Sequence, residues 1–259
     1  MCYKTRRSAT VATLFFIKIL HHEILKLDIK NTPWRSLIGE FLVWLLVLIL
    51  LNIETSKVTS VVSDETRLFL RGELTLDSVA QIKTALSDNQ ERFNTIQLID
   101  SPGAGAAAGI IVDQIEALVK QHRLVTEVRG RCASACAATF LLGRRRTMLA
   151  SEDGQPTYLM LHALRSQITR EVNYGKTEAI NKKIEARSAG RITLALLDRI
   201  FDDKNGTADG EVYIFREAQT TPTGKHHVFV CKDAQQALDQ CEAIKGLTPK
   251  KLGLRLALE

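Results

Sequence analysis

The sequence has 259 residues, 45% of them hydrophobic, which is enough to bury the core of one domain and to carry an additional segment. Its net charge is +6, but the excess is +5 before residue 37 and only +1 over the rest of the chain. A nucleic-acid-binding domain concentrates its basic residues on the folded domain itself. The charge distribution therefore predicts no nucleic-acid partner.

Residues 1–36 form a basic segment, and residues 37–53 are apolar except for a few positions such as Glu40 and Asn52. Seventeen residues in a helix span about 25 Å, the short end of what crosses a bilayer. We predict a transmembrane anchor at 37–53 in contact with membrane lipid; a buried core helix or a signal-peptide segment is the alternative. The positive-inside rule then keeps the N-terminus in the cytoplasm and the globular part outside. Residues 9–20 are also apolar and fit an interfacial helix, whereas their insertion would return the domain to the cytoplasm.

After a polar linker at 54–66, the chain alternates between strand and helix patterns, which predicts an α/β domain. Thr75 and Asp77 are able to cap the first helix. A turn containing glycine at 100–105 separates the second strand from the second helix. The predicted elements of this part are a strand at Leu68–Leu70, a helix at Leu76–Leu86, a strand at Thr95–Ile99 and a helix at Ala106–Val119.

The next strand, Leu124–Val128, leads through small residues into an apolar segment that is long enough for a helix. Ala133 and Ala135 let the backbone bend sharply on either side of Ser134, so Ser134 is predicted at a helix N-terminus. A serine placed there can attack a carbonyl while a neighbouring N–H stabilises the oxyanion. The alternatives are a serine that only packs and a thiol nucleophile at Cys132 or Cys136.

A short apolar strand, Tyr158–His162, follows and ends on a histidine. A histidine at a strand end beside a nucleophile turn is well placed to act as general base. His162 is therefore the candidate general base. The alternative is a histidine that only packs in the core or lies on the surface.

Three motifs in this order resemble the ClpP/crotonase superfamily, in particular Clp-protease-like serine peptidases and their membrane-anchored or periplasmic relatives. They are Ser101-Pro102-Gly103, Ala133-Ser134-Ala135 and Leu161-His162, and the resemblance covers roughly 67–219. It implies a spiral ββα domain preceded by the transmembrane helix, and no cofactor is expected. Nor is a metal, since His226 and His227 with Cys231 and Cys241 lack the paired short spacings of a structural zinc site. The resemblance further implies Ser134 as nucleophile, His162 as base, and the N–H groups of Ala135 and of Gly103 or Ala104 as the oxyanion hole. Ala104 stands where the family has a second glycine.

The resemblance places the third catalytic residue, an acid, shortly before the pair Glu217-Ala218. Asp209 is our preferred acid, and the other candidates are Glu211, Asp202 and Asp203. A branch of the superfamily, the signal peptide peptidases, uses lysine as base instead. In this sequence that alternative points to Lys176, Lys182 or Lys183.

The resemblance predicts a bacterial inner-membrane protein whose domain hydrolyses peptide bonds outside the cytoplasm. A catalytically inactive anchored scaffold of the same fold is the first alternative, and acyl-CoA chemistry is the second. Apolar residues recur through Ser166–Phe201, which reads as one or two helices. Helices at this place join subunits in the resembling family, so a homo-oligomer is expected.

Residues 220–259 are predicted as a C-terminal extension that includes a short helix at Ala234–Ile244. If the domain lies outside the cytoplasm, its four cysteines are free to form two disulfides. One arrangement is Cys132 with Cys136 and Cys231 with Cys241, but four cysteines allow three pairings and the sequence does not choose among them. Reduced, buried cysteines are the alternative.

Overall fold

The computed structural model describes residues 60–88, 92–152, 154–166, 169, 171–202 and 209–257. The basic segment 1–36 and the predicted anchor at 37–53 lie outside these residues, as do Cys2 and Asp203. Within the described part of the chain, no helix is both long enough and apolar enough to cross a membrane.

Over the residues that the structure describes, ten strands form one mixed sheet in the order β1-β2-β3-β4-β6-β7-β8-β9, with β5 beside β4 and β10 beside β5. The strands are β1 (Ser60–Ser63), β2 (Arg67–Arg71), β3 (Thr95–Ser101), β4 (Val125–Ala133), β5 (Arg146–Met148), β6 (Tyr158–His162), β7 (Glu211–Thr221), β8 (Gly224–Cys231), β9 (Glu242–Ala243) and β10 (Arg255–Leu256). Strands β2, β3, β4 and β6 run parallel, and β1 at one edge and β7 to β9 at the other run antiparallel to their neighbours.

Helices connect the parallel strands, because two parallel neighbours cannot be joined by a tight turn. The helices are α1 (Leu76–Asp88), α2 (Ala108–His122), α3 (Ala135–Leu141), α4 (Tyr174–Arg187) and α5 (Leu194–Leu197), with 3-10 turns at Asp198–Phe201 and Leu238–Gln240. The predicted α/β class is confirmed. So is the first helix, whose N-terminus is closed by Ser78 N–H donating to Thr75 Oγ1 and by Thr75 N–H donating to Ser78 Oγ.

The core lies between the sheet and the helices that cover it. Strand β3 is buried over 95–99, including the polar Thr95 and Gln97, because it pairs with a parallel strand on each side. Helix α2 buries Ile111, Ile115 and Val119, which recur at the spacing of one helix face. All seven residues of α3 are buried. The helix that follows Ser134 is therefore held in the interior, and the turn before it is fixed at its C-terminal side.

Two segments differ from the sequence analysis. The predicted linker at 54–66 contains β1, and the predicted boundary at 219/220 falls inside β7. Strands β8, β9 and β10 extend the same sheet.

The predicted helix at Ala234–Ile244 is wrong, since this stretch holds a 3-10 turn and β9 instead. A disulfide joins Cys231 to Cys241 with a Cα–Cα distance of 4.6 Å. The crosslink folds this stretch back onto β8, with which β9 pairs antiparallel.

Candidate active site

Ser134 occupies a sharp bend between β4 and α3. Its φ is 56° and its ψ is −123°, a backbone conformation that is costly for a residue with a Cβ. The bend is held by Ser134 N–H donating to Met160 O (2.8 Å) and by Ala138 N–H donating to Ser134 O (3.1 Å). Such strain persists only where the surrounding structure imposes it, and here it presents one half-buried hydroxyl at the start of a buried helix.

A disulfide between Cys132 and Cys136 spans this bend. It links the end of β4 to the first turn of α3 with a Cα–Cα distance of 5.2 Å, and both cysteines are fully buried. Ser134 lies midway between them in sequence. Because both sulfurs are bonded to each other, neither cysteine provides the thiol nucleophile considered as an alternative.

His162 is the last residue of β6 and is half-buried. Its Nδ1 lies 2.8 Å from the carbonyl oxygen of Ala163. A carbonyl oxygen only accepts hydrogen bonds, so Nδ1 carries the proton and Nε2 is left as the acceptor. This is the tautomer that a general base needs in order to take a proton from a serine hydroxyl.

Ser134 and His162 line the same cavity, whose volume is about 750 Å³. This volume lies within the range of small-molecule and peptide subsites. The connection from β3 to α2 and the first turn of α2, within residues 104–110, form one wall with small or apolar side chains. Arg165 and Lys176 also line the cavity, so its described lining carries two cations.

Gly103 packs its backbone directly against the serine bend. Its φ is +99°, and a Cβ there would lie 2.6 Å from Ala133 O, 2.8 Å from Ser134 Cβ and 3.2 Å from Ala135 N. Only glycine adopts this φ readily and also has no Cβ to collide with the serine bend. Ala104 is not among the residues with positive φ, so an alanine in place of the second glycine costs no backbone strain.

The same turn determines which N–H groups remain for an oxyanion. Ala135 is the first residue of α3, so its N–H has no partner inside the helix. Gly103 N–H donates to Ser101 Oγ at 3.2 Å. Ala104, which lines the cavity, is therefore the second candidate donor beside Ala135.

The acid candidates are placed very differently. Asp209 forms an ion pair with Arg165, and Asp202 pairs with Arg199 at 2.5 Å. Glu211 is the direct cross-strand partner of His162 in the antiparallel pair of β6 and β7, and residues so paired have their side chains on the same face.

Glu211 is also a buried carboxylate, only 6% exposed. It accepts a hydrogen bond of 2.6 Å from the Tyr213 hydroxyl. Burial raises the pKa of Tyr213, and the hydrogen bond to Glu211 raises it further, so the phenol stays protonated as the donor. The geometry thus favours Glu211 over Asp209 as the carboxylate beside the base.

The three lysines considered as alternative bases are also separated by the structure. Lys176 lines the cavity, whereas Lys182 is exposed on the same helix. Lys183 donates to Glu116 at 2.6 Å and to Asp113 at 3.2 Å. The hydrogen bond to Glu116 raises the pKa of Lys183 above its usual value, with the bond to Asp113 adding to this, so Lys183 is held as an ammonium.

Neutralising each acid separately tests this assignment. We expect Glu211→Gln, which keeps the size of the side chain and an acceptor for Tyr213, to slow reaction at Ser134 by about 10- to 100-fold, because an uncharged amide stabilises the imidazolium less. Asp209→Asn is the matched control and is expected to change the rate less than threefold. The measurement is the rate of covalent labelling with an uncharged fluorophosphonate. A larger effect for Asp209→Asn than for Glu211→Gln would assign the acid to Asp209 after all.

The fold resembles that of solved peptidases. ClpP1 from Listeria monocytogenes is 16% identical, with 48% of this chain and 72% of that chain covered and a TM-score of 0.35. The ClpP protease catalytic domain from Plasmodium falciparum is 16% identical, with 58% and 76% covered and a TM-score of 0.38. A mutant of the membrane-bound stomatin-specific protease 1510-N is 17% identical, with 53% and 70% covered and a TM-score of 0.37.

The likeness to these proteases is one of fold. No protein-family model matches the chain, and no curated protein sequence matches it either. The roles of individual residues are therefore inferred from the geometry of the site.

Proposed function

We propose that the protein is a serine peptidase in which Ser134 is the nucleophile and His162 the general base. The observation that supports this most directly is the hydrogen bond from His162 Nδ1 to the Ala163 carbonyl. It leaves Nε2 as a proton acceptor in a histidine that lines the same cavity as Ser134, a strained serine at the N-cap position of α3. A serine that only packed would not need the backbone strain, and it is the shared cavity that distinguishes His162 from a histidine that only packs.

The reaction follows from these groups. Ser134 Oγ attacks the peptide carbonyl as His162 Nε2 takes its proton, and the N–H groups of Ala135 and Ala104 stabilise the oxyanion. The imidazolium then gives its proton to the leaving amine, and water, activated by the same nitrogen, hydrolyses the acyl-enzyme. Glu211 stabilises the imidazolium from the neighbouring strand.

The experiment that tests the function is labelling with an uncharged fluorophosphonate, followed by mass mapping of the adduct. We expect one adduct on Ser134 and a loss of at least about 10³-fold in labelling rate in Ser134→Ala, since no nucleophilic hydroxyl remains at the bend. Ser63→Ala, an exposed serine on β1, is the control and should label as the wild type does. Intact, folded protein that gives no adduct on Ser134 would favour the non-catalytic scaffold.

The proposal includes the place of the domain in the cell. We propose a single-pass protein of the bacterial inner membrane, anchored through residues 37–53, with a domain outside the cytoplasm that assembles with further copies of itself. Two disulfides within the domain support an oxidising compartment. The same labelling, performed on spheroplasts with a membrane-impermeant fluorophosphonate, checks the placement, because a cytoplasmic domain would stay unlabelled until lysis.

A further inference from the structure

We propose that the cavity in front of Ser134 selects peptides that carry a carboxylate near the scissile bond, and that Lys176 is the residue that selects them. This inference rests on the proposed function only for the identity of the ligand as a peptide. The positive charge that would select the carboxylate lies in the cavity lining and does not depend on whether Ser134 is catalytic.

Lys176 is held in place at the cavity by both its ends. Its backbone lies in the first turn of α4, where its N–H donates to the Asn173 side chain at 3.0 Å. Its stem crosses α2 at Gly109, where a Cβ would lie 2.9 Å from Lys176 Cε and 3.1 Å from Cγ. The absence of a side chain at Gly109 thus leaves room for the lysine, and its Nζ reaches Asp113 one turn further along α2.

The ion-pair network behind Lys176 has more cations than anions. It contains three lysines and two carboxylates: Lys120, Lys176 and Lys183 with Asp113 and Glu116. Partial burial by itself would raise the pKa of Asp113, but hydrogen bonds from Lys176 and Lys183 outweigh it, and the pKa lies below its usual value. With both carboxylates ionised, the network keeps a net charge of +1, and of its members Lys176 is the one that lines the cavity.

The rest of the lining does not offset this charge. Arg165 is the second cation, and it forms an ion pair with Asp209. No carboxylate is among the described residues that line the cavity. The N-cap residue of α2, Ala107, provides no side-chain cap, so the N-terminal dipole of α2 adds positive potential at the same wall. A carboxylate that enters gains a charged partner at Lys176, whereas an amide of the same shape does not.

The carboxylate has two sources, an aspartate or glutamate side chain and the free C-terminus of a peptide. The test uses Ser134→Ala protein, which cannot turn the ligand over. The ligands are pentapeptides of alanine that carry rhodamine on the N-terminal amine, with glutamate, glutamine or lysine at the centre, each as a C-terminal amide. A fourth peptide has glutamine at the centre and a free C-terminal carboxylate. Affinity is measured by fluorescence anisotropy at low and at physiological salt.

We expect the glutamate peptide or the free-carboxylate peptide to bind about 10-fold more tightly than the glutamine amide, with the lysine peptide weakest. The preference should shrink as salt rises. Lys176→Met, which keeps the apolar stem but removes the charge, should abolish the preference and leave binding of the glutamine amide unchanged. Lys176→Glu should favour the lysine peptide. Lys182→Met, an exposed lysine on the same helix, is the matched control and should behave as the parent protein does.

Equal affinity for the glutamine amide, the glutamate peptide and the free-carboxylate peptide overturns the proposal. So does a Lys176→Met variant that loses affinity for all four peptides alike, since that is the result of a purely structural lysine. The outcome is independent of the peptidase proposal. An acidic preference that depends on Lys176, in a protein that gives no fluorophosphonate adduct on Ser134, would retain the binding site and reject the hydrolysis.

Discussion

Replacing His162 with alanine is expected to lower the rate of acylation at Ser134 by about 10⁴-fold or more, as in other enzymes whose nucleophile depends on a neighbouring base. The serine hydroxyl keeps its position, because the bend is held by backbone hydrogen bonds to Met160 and Ala138 that the substitution does not touch. What is lost is the acceptor nitrogen. The measurement is the second-order rate of fluorophosphonate labelling, with the melting temperature as the check on folding.

His227→Ala is the matched control for this prediction. His227 also places Nδ1 near a main-chain carbonyl, that of Phe215 at 3.1 Å, and it is similarly half-buried. It lies on β8, which contributes no residue to the described lining of the cavity. Its substitution should leave labelling within threefold of the wild type. Free imidazole should restore part of the rate in His162→Ala, because it supplies the missing base to the vacated space. Equal rates for wild type and His162→Ala would remove His162 from the mechanism.

Replacing Gly103 with alanine is expected to reduce labelling at Ser134 by at least about 10²-fold, the usual loss when one oxyanion donor is displaced. The new Cβ would meet the Ala133 carbonyl, Ser134 Cβ and Ala135 N, all closer than atoms normally approach. These are the atoms that form the bend and the first donor. The turn must move away from the bend, and the Ala104 N–H moves with it.

Gly72→Ala separates this contact from backbone strain. Gly72 has a φ of +90°, close to that of Gly103, but a Cβ there would have no neighbour within 4 Å. Both variants therefore bear the cost of an alanine at positive φ, about 1 kcal/mol, and only Gly103→Ala should lose activity. Urea unfolding measures the shared cost, and labelling measures the difference. Similar labelling rates for the two variants would show that Gly103 does not form the oxyanion site.

The disulfide between Cys132 and Cys136 connects the fold to the site. A strand and a helix that meet at a residue with positive φ would otherwise depend on backbone hydrogen bonds alone to keep the bend. The covalent link closes the turn from the buried side, and the hydroxyl of Ser134 is left at the half-buried side. The site is thus built on the most interior helix of the domain, which is suited to a serine that must hold its direction.

The acid shows where reasoning from the sequence was incomplete. Asp209 and Glu211 are two residues apart in the chain, and nothing in their neighbourhood distinguishes them. The structure separates them because β7 pairs with β6 in a register that sets Glu211 opposite His162. Asp209 precedes the strand and pairs with Arg165 instead. Register depends on hydrogen bonds between segments almost 50 residues apart in sequence, which local patterns do not record.

The sequence by itself determined the local elements of this protein: the alternation of strands and helices, the small residues around Ser134, and the glycine turn at Gly103. These follow from side-chain size, apolar periodicity and allowed backbone angles, all of which act over a few residues. Only the tertiary structure decided what these elements face. It brought Glu211 opposite His162, laid Lys176 across Gly109 at the cavity, and joined Cys231 to Cys241 in place of a helix. Those contacts depend on strand register and on the packing of distant segments, so they exist only once the chain is folded.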